Sequence, residues 1–140
     1  MVEIRQGFFG GFAGVIGQTE LSLNELKSKF EKIVGHKVSL YNYGGDIKSN
    51  LVALCAGGGN QIEMLQEIKE KGINTFITGV AVKNDYSKEP HEYARANKIN
   101  ILGGSHYSTE KFACIKMCEY FKKLGLPCEF IGDTPVLEDM

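Results

Sequence analysis

From residue 51 onward the chain keeps one rhythm: a short apolar run, a tight connection, a stretch of helical periodicity, and the next apolar run. Leu51-Val52-Ala53-Leu54-Cys55 is continuously apolar, which suits a strand covered on both faces of a parallel sheet. It leads to a helix over about 60–71, with Asn60 and Glu63 as cap residues and Gly72 as its stop. A strand at about 73–77 precedes a short helix near 90–97, and a strand at about 99–102 precedes a long helix at about 108–124, ended by Gly125. A last strand is expected at about 128–131. Strands and helices alternating through short connections mean βαβ units with right-handed crossovers. The expected fold class is therefore α/β, with a mostly parallel or mixed sheet, helices on both faces, and residues 1–140 forming a single domain.

Upstream of this rhythm the signals are local. Ser22 and Glu25 form a capping box, flanked by Leu21 and Leu26 at hydrophobic-staple positions. Leu23, Leu26, Phe30 and Ile33 recur at helical spacing up to Gly35, a C-cap glycine, so a helix is expected there. Val38, Leu40 and Tyr43 suggest a strand, and Gly44-Gly45-Asp46 a turn. The first twenty residues hold five of the seventeen glycines together with Phe8, Phe9 and Phe12, and read as strand fragments with bends. Those three aromatics suit a subunit interface and the core equally well.

Sixteen basic and seventeen acidic residues leave a net charge of −1 with no basic stripe, which gives nucleic acid and membrane surfaces no electrostatic footing as partners. The longest apolar stretches are too short to span a bilayer. The N-terminal segment mixes Glu3 with Arg5 and breaks its apolar part with glycines, unlike a signal peptide, so a cytoplasmic location is expected. Of the four cysteines none forms a CxxC pair, and buried reduced thiols rather than a disulfide framework are expected. Cys114 and Cys118, four apart on a predicted helix, can share a metal or simply be two small core residues on one face.

Ligands of open parallel sheets bind beyond the carboxyl ends of the strands. Three segments fall there. Gly57-Gly58-Gly59-Asn60 offers backbone N–H groups before a helix N-terminus, as an anion cradle or as a plain tight turn. Thr78-Gly79-Val80 opens the polar stretch Ala81 to Pro90, long enough for a lid or an inserted excursion; His91, which follows it, is a further site candidate or an ordinary surface histidine. Gly103-Gly104-Ser105-His106-Tyr107-Ser108-Thr109-Glu110 opens the long helix, and its four-residue spacing brings the His106 imidazole beside the Glu110 carboxylate. Such a pair suits zinc, iron or manganese. The alternative is that Glu110 answers the helix dipole and His106 bonds a nearby carbonyl. His36, in a predicted turn, has no such partner in sequence.

The run Gly103 to Glu110 resembles the Gly-His-Tyr-Ala/Ser-Thr/Ser-Glu signature of the Nif-three-like family, also called GTP cyclohydrolase 1 type 2. Leu51 to Gly59 is similar to that family's Val-Ala-Val-Cys-Gly-Gly-Gly segment, Phe76-Ile77-Thr78-Gly79 to its Ile-Thr-Gly strand end, and Gly14-Val15-Ile16-Gly17 to the Gly-Arg-Ile-Gly opening its second half. His91 aligns with a histidine that follows the Ile-Thr-Gly strand. The resemblance covers nearly the whole chain and the C-terminal half of a family member. It implies a toroidal, dinuclear-metal protein in which His106 ligates one ion and Glu110 bridges. The family's remaining ligands, a His-His pair and an Asp, belong to its N-terminal half and have no counterpart here. The family's acidic residue after Ile-Thr-Gly is Val80 in this chain.

Three functions follow as expectations. One is a metal-dependent hydrolase of a small phosphorylated or heterocyclic substrate, completed by a partner half. Another is a non-catalytic binding or regulatory module that keeps the fold and assembly surfaces. A third is an unrelated anion- or nucleotide-binding domain resting on the glycine turn. The implied partners are further copies of the chain or a complementary N-terminal half.

Overall fold

The computed structural model describes residues 3–8 as backbone and residues 13–140 in full. The expectation for Phe9 and Phe12, and for the side chain of Phe8, lies outside the described residues. Strands β1 (Glu3–Phe8), β2 (Gly14–Gln18), β3 (Ser39–Tyr41), β4 (Leu51–Cys55), β5 (Thr75–Thr78) and β6 (Asn100–Gly103) form one mixed sheet in the order β1-β2-β4-β5-β6-β3. β4, β5 and β6 are parallel, and the other neighbours pair antiparallel. The helices are α1 (Leu23–Val34), α2 (Ile62–Glu70), α3 (Lys88–Ala96) and α4 (His106–Lys123).

Strand periodicity of two sorts the core into two layers. Ala53, Phe76 and Ile101 are neighbours in register and face Met64, Leu65 and Ile68 of α2 and Ala94 of α3. The alternate residues Val52, Ile77 and Leu102 face Leu23, Leu26, Phe30 and Val34 of α1. Helices therefore cover both faces, in agreement with the α/β expectation. The α1 capping box forms as its sequence dictates: Ser22 N–H donates to Glu25 Oε2 at 2.9 Å, Glu25 N–H donates to Ser22 Oγ at 3.4 Å, and Gly35 closes the helix at φ 86°.

Several expectations are corrected. Residues 128–131 form no strand, and the neighbour of β6 at the edge of the sheet is β3. α2 begins at Ile62 with Gln61 as an N-cap lacking a side-chain bond, so Asn60 and Glu63 do not make a capping pair. Ile33 points outward at 53% exposure, and Val34 takes its place in the core. Leu54 is 37% exposed, so the face of β4 toward α1 is not fully covered. That face, α1 and the first turns of α4 frame an apolar cavity of about 430 Å³ lined by Val15, Ile33, Leu54 and Phe112 among others. α4 buries only Ser108. Of the cysteines only Cys55 is buried; Cys114 is exposed, and Cys118 and Cys128 are half-buried. Cys114 and Cys118 are thus not a core pair. Among the described residues no helix is long and apolar enough to cross a membrane.

Candidate metal centre

The carboxyl ends of β4, β5 and β6 open onto three loops, and these meet at the start of α4. The chain turns from β6 into α4 through Ser105, which is fully buried and holds φ 115°, a conformation that L-residues seldom adopt. Its hydroxyl accepts the Ser108 N–H at 3.2 Å, capping the helix, and lies 2.7 Å from Ser108 Oγ. Ser108 Oγ in turn lies 2.8 Å from His36 Nε2, whose other nitrogen donates to Lys37 O at 2.6 Å. His36 therefore braces α4 from the turn after α1. Thr109 completes the support: its hydroxyl accepts the Gly57 N–H at 3.0 Å and lies 3.0 Å from the carbonyls of Ser105 and His106.

On this platform the first turn of α4 brings the expected pair together. His106 Nε2 and Glu110 Oε1 are 3.1 Å apart, with both side chains about half exposed. The glycine loop forms the wall beside them. A Cβ at Gly57, which holds φ 69°, would collide with Glu110 Oε1 and lie 2.9 Å from His106 Nε2. Gly57 O is fixed by the N–H groups of Gly79 and Val80 at 3.1 and 2.9 Å and by Thr78 Oγ1 at 3.2 Å. A Cβ on Gly79 would lie 2.6 Å from Thr109 Oγ1 and 2.7 Å from Gly57 O. Close approach of backbones is what these two glycines permit. Burial, and secondarily the negative charge of Glu110, pushes the Cys55 thiol at the foot of this loop up.

The other sequence candidates have different surroundings. In the Gly57–Asn60 segment, Gly57 N–H is committed to Thr109 and Gly59 O accepts from Gln61 N–H at 2.9 Å. The Asn60 amide is buried, and among the described residues neither its oxygen nor its nitrogen has a hydrogen-bond partner. His91 is 4% exposed rather than a surface residue. Its Nε2 donates to Ala81 O at 2.9 Å, and its Nδ1 accepts from Tyr43 Oη at 3.1 Å. Tyr41 meets it edge-on at 4.5 Å between ring centres. Burial holds this imidazole below its usual range, helped by the charges of Lys83 and Arg95. Both its nitrogens are spent inside the fold, and neither contacts His106 or Glu110.

One residue at the site was not legible in sequence. Asp139, in the short 3₁₀ turn Leu137–Asp139, places Oδ2 2.9 Å from His106 N, and its carbonyl accepts from Ala81 N–H and Val82 N–H at 2.7 and 2.9 Å. Its carboxylate meets the free N–H groups of α4 where the helix dipole favours an anion. Only a C-terminal segment folding back over the sheet brings it there.

The donor types of His106 and Glu110 fit a divalent ion, but a tightly held metal usually has about three protein ligands. Among the described residues no group of three or more His, Cys, Asp or Glu side chains is placed to hold one. His106 and Glu110 are a two-residue pair, about half exposed.

The sequence profile described as Duf34/NIF3 (NGG1p interacting factor 3) matches residues 10–134. A "GTP cyclohydrolase 1 type 2 homolog" of Buchnera aphidicola subsp. Baizongia pistaciae is 30% identical over 105 residues, which are 72% of this chain and 39% of that protein. A protein of the same name from Borreliella burgdorferi is 29% identical over 115 residues, 81% of this chain and 43% of that one. This chain therefore spans less than half the length of these two curated relatives. Among solved structures, protein ybgI, described as of unknown function, superposes with a TM-score of 0.79 at 20% identity over 96% of this chain and 53% of its own, a likeness that concerns the fold alone. The profile match takes in the β6–α4 turn and the glycine loop together, and on it the chain belongs to the Duf34/NIF3 family.

Proposed function

We propose that this chain contributes one half of a divalent-metal centre through His106 and Glu110, and that ligands from a complementary half or another chain complete it. The completed centre would serve hydrolysis of a small phosphorylated or heterocyclic substrate. The observation that carries this reading is the 3.1 Å approach of His106 Nε2 to Glu110 Oε1 at the carboxyl edge of the sheet. Zinc, iron and manganese all accept an imidazole and a carboxylate. When bound, such an ion supplies Lewis acidity toward a carbonyl or phosphoryl oxygen. The part of this chain is positional: Ser105, Ser108 and Thr109 hold the first turn of α4, and Gly57 leaves room beside the two ligands. The amide of Asn60, buried without a partner among the described residues, supports a polar ligand group entering by the glycine loop.

The apolar cavity between α1 and α4 supports a partner of apolar chemistry, either a second copy or the complementary half. Metal analysis and titration calorimetry with Zn²⁺ and Mn²⁺ test the reading. The folded chain should bind weakly, binding should vanish in His106→Ala and Glu110→Gln, and it should tighten when a complementary half is added. Metal retained at full stoichiometry in His106→Ala would sink it. A second reading, a binding or regulatory module without chemistry, is favoured by the lack of a third ligand among the described residues. It predicts partner binding that is indifferent to both substitutions and to chelators.

A further inference from the structure

We propose that Cys118 and Cys128 form a reversible dithiol–disulfide pair that fastens the C-terminal segment onto α4. This inference is independent of the metal reading. The Cys128 thiol lies 2.9 Å from Cys118 Sγ, and both residues are free and half-buried, within reach of a small reagent. That separation exceeds a disulfide bond of about 2.05 Å by only about 0.9 Å. Helix geometry disfavours the neighbouring thiol as a partner for Cys118. Cys114 sits one turn away on α4, and side chains four apart on a helix have Cβ atoms about 5–6 Å apart, whereas a disulfide needs about 3.5–4.5 Å. Cys55 is buried at the glycine loop, its thiol donating to Ala13 O at 2.9 Å.

The segment that this bond would fasten rests on few anchors. Ile131, Val136 and Leu137 are 88%, 54% and 51% exposed. What holds the segment is Asp133 N–H donating to Tyr107 Oη at 2.7 Å, and Asp139 bonded to His106 N, Ala81 N and Val82 N. A bond at Cys128 would shorten the free stretch leading to these contacts and hold Asp139 against the first turn of α4.

The reaction is thiol–disulfide exchange with a low-molecular-weight disulfide such as oxidised glutathione. One protein thiolate attacks a sulfur of the reagent, forming a mixed disulfide and releasing one small thiol. The second protein thiol, losing its proton, then attacks the protein sulfur of that mixed disulfide and expels the second small thiol. Two protein thiols are oxidised, and one small disulfide is reduced to two thiols. The contact with Cys128 raises the Cys118 thiol above its usual range, so exchange should be slow rather than immediate.

The test incubates the full chain with oxidised glutathione and then counts free thiols in denaturant. The expected result is a fall from four thiols to two, a mass lower by two hydrogens, and a linked peptide joining Cys118 to Cys128, all reversed by dithiothreitol. Cys114→Ser should still form the bond. Cys118→Ser and Cys128→Ala should stop at a glutathione adduct, and Cys128→Ala, outside any helix or strand, keeps the test independent of folding. Proteolysis within residues 126–140 should slow by about tenfold on oxidation, since cleavage follows the population of the detached segment. The proposal is overturned if all four thiols persist, if the linked peptide contains Cys114, or if oxidation leaves proteolysis unchanged.

Discussion

At the amino ends of the parallel strands, Asn74 and Asn100 are buried and their amides are fully engaged, whereas at the carboxyl ends Asn60 holds a buried amide with no partner among the described residues. Asn100 Oδ1 accepts Gly44 N–H at 2.7 Å, and its Nδ2 donates to Gly45 O at 2.7 Å and Thr75 Oγ1 at 3.2 Å. Asn74 Oδ1 accepts Lys48 N–H at 2.8 Å, while its Nδ2 donates to Asp46 O at 2.9 Å. Together they pin the loop after β3 beneath the sheet. The opposite edge carries Ser105 at φ 115° and a half-exposed His106–Glu110 pair. One edge spends its polar groups on holding the chain; the other keeps some of them, and some strain, available. Ser49, Asn50 and Lys98, just before β4 and β6, also hold positive φ, of 54–57°, but Ser105 at φ 115° and ψ 151° lies in a region that residues other than glycine hardly populate.

Substitutions can break that contrast. The largest expected effect is Asn100→Ala, which removes the bonds that a fully buried amide makes to Gly44 N–H, Gly45 O and Thr75 Oγ1; a loss of about 1–3 kcal/mol should appear in urea unfolding. A neutral result would mean that the amino edge is not held by its polar network. Ser105→Ala removes the cap of α4 and should cost about 1 kcal/mol. Ser105→Gly should cost less, because glycine accepts positive φ without the strain of about 1–3 kcal/mol. Equal losses in the two variants would remove the strain argument.

A pH dependence sharpens the comparison further. The folded His91 resists protonation, so its contribution to stability is complete above the ordinary imidazole range and is lost as pH falls through it, when the unfolded chain takes up a proton that the native ring declines. Urea midpoints measured from about pH 7.5 to 5.5 should therefore drop in the wild type and flatten in His91→Phe. The smallest effect is expected at the candidate ligands. His106→Ala and Glu110→Gln should each change stability by less than about 0.5 kcal/mol, since a half-exposed pair contributes little. A larger loss would make the pair a structural element instead.

The legible parts of this molecule are those whose signals lie within one turn or one strand. Ser22 and Glu25 cap α1 through bonds three residues apart, and Gly35 ends it with a positive φ. Apolar runs gave β4, β5 and β6 to within a residue or two, and the helical repeat brought His106 to Glu110. Periodicity says which face of a segment is apolar but not what covers it. Hence Leu54 was expected to be covered and is not, and His91 was expected at the surface and lies in the interior between Ala81 and Tyr43.

The sequence alone determined the α/β class, the position of α1, and the imidazole–carboxylate pair, because each depends on contacts between residues near one another along the chain. Only the tertiary structure decided that β3 takes the sheet edge beside β6 while residues 128–131 form no strand, that Asp139 returns to the start of α4, and that Cys128 meets Cys118. Those outcomes depend on how distant segments meet at one sheet edge and one helix end, through packing and hydrogen bonding that no local pattern records.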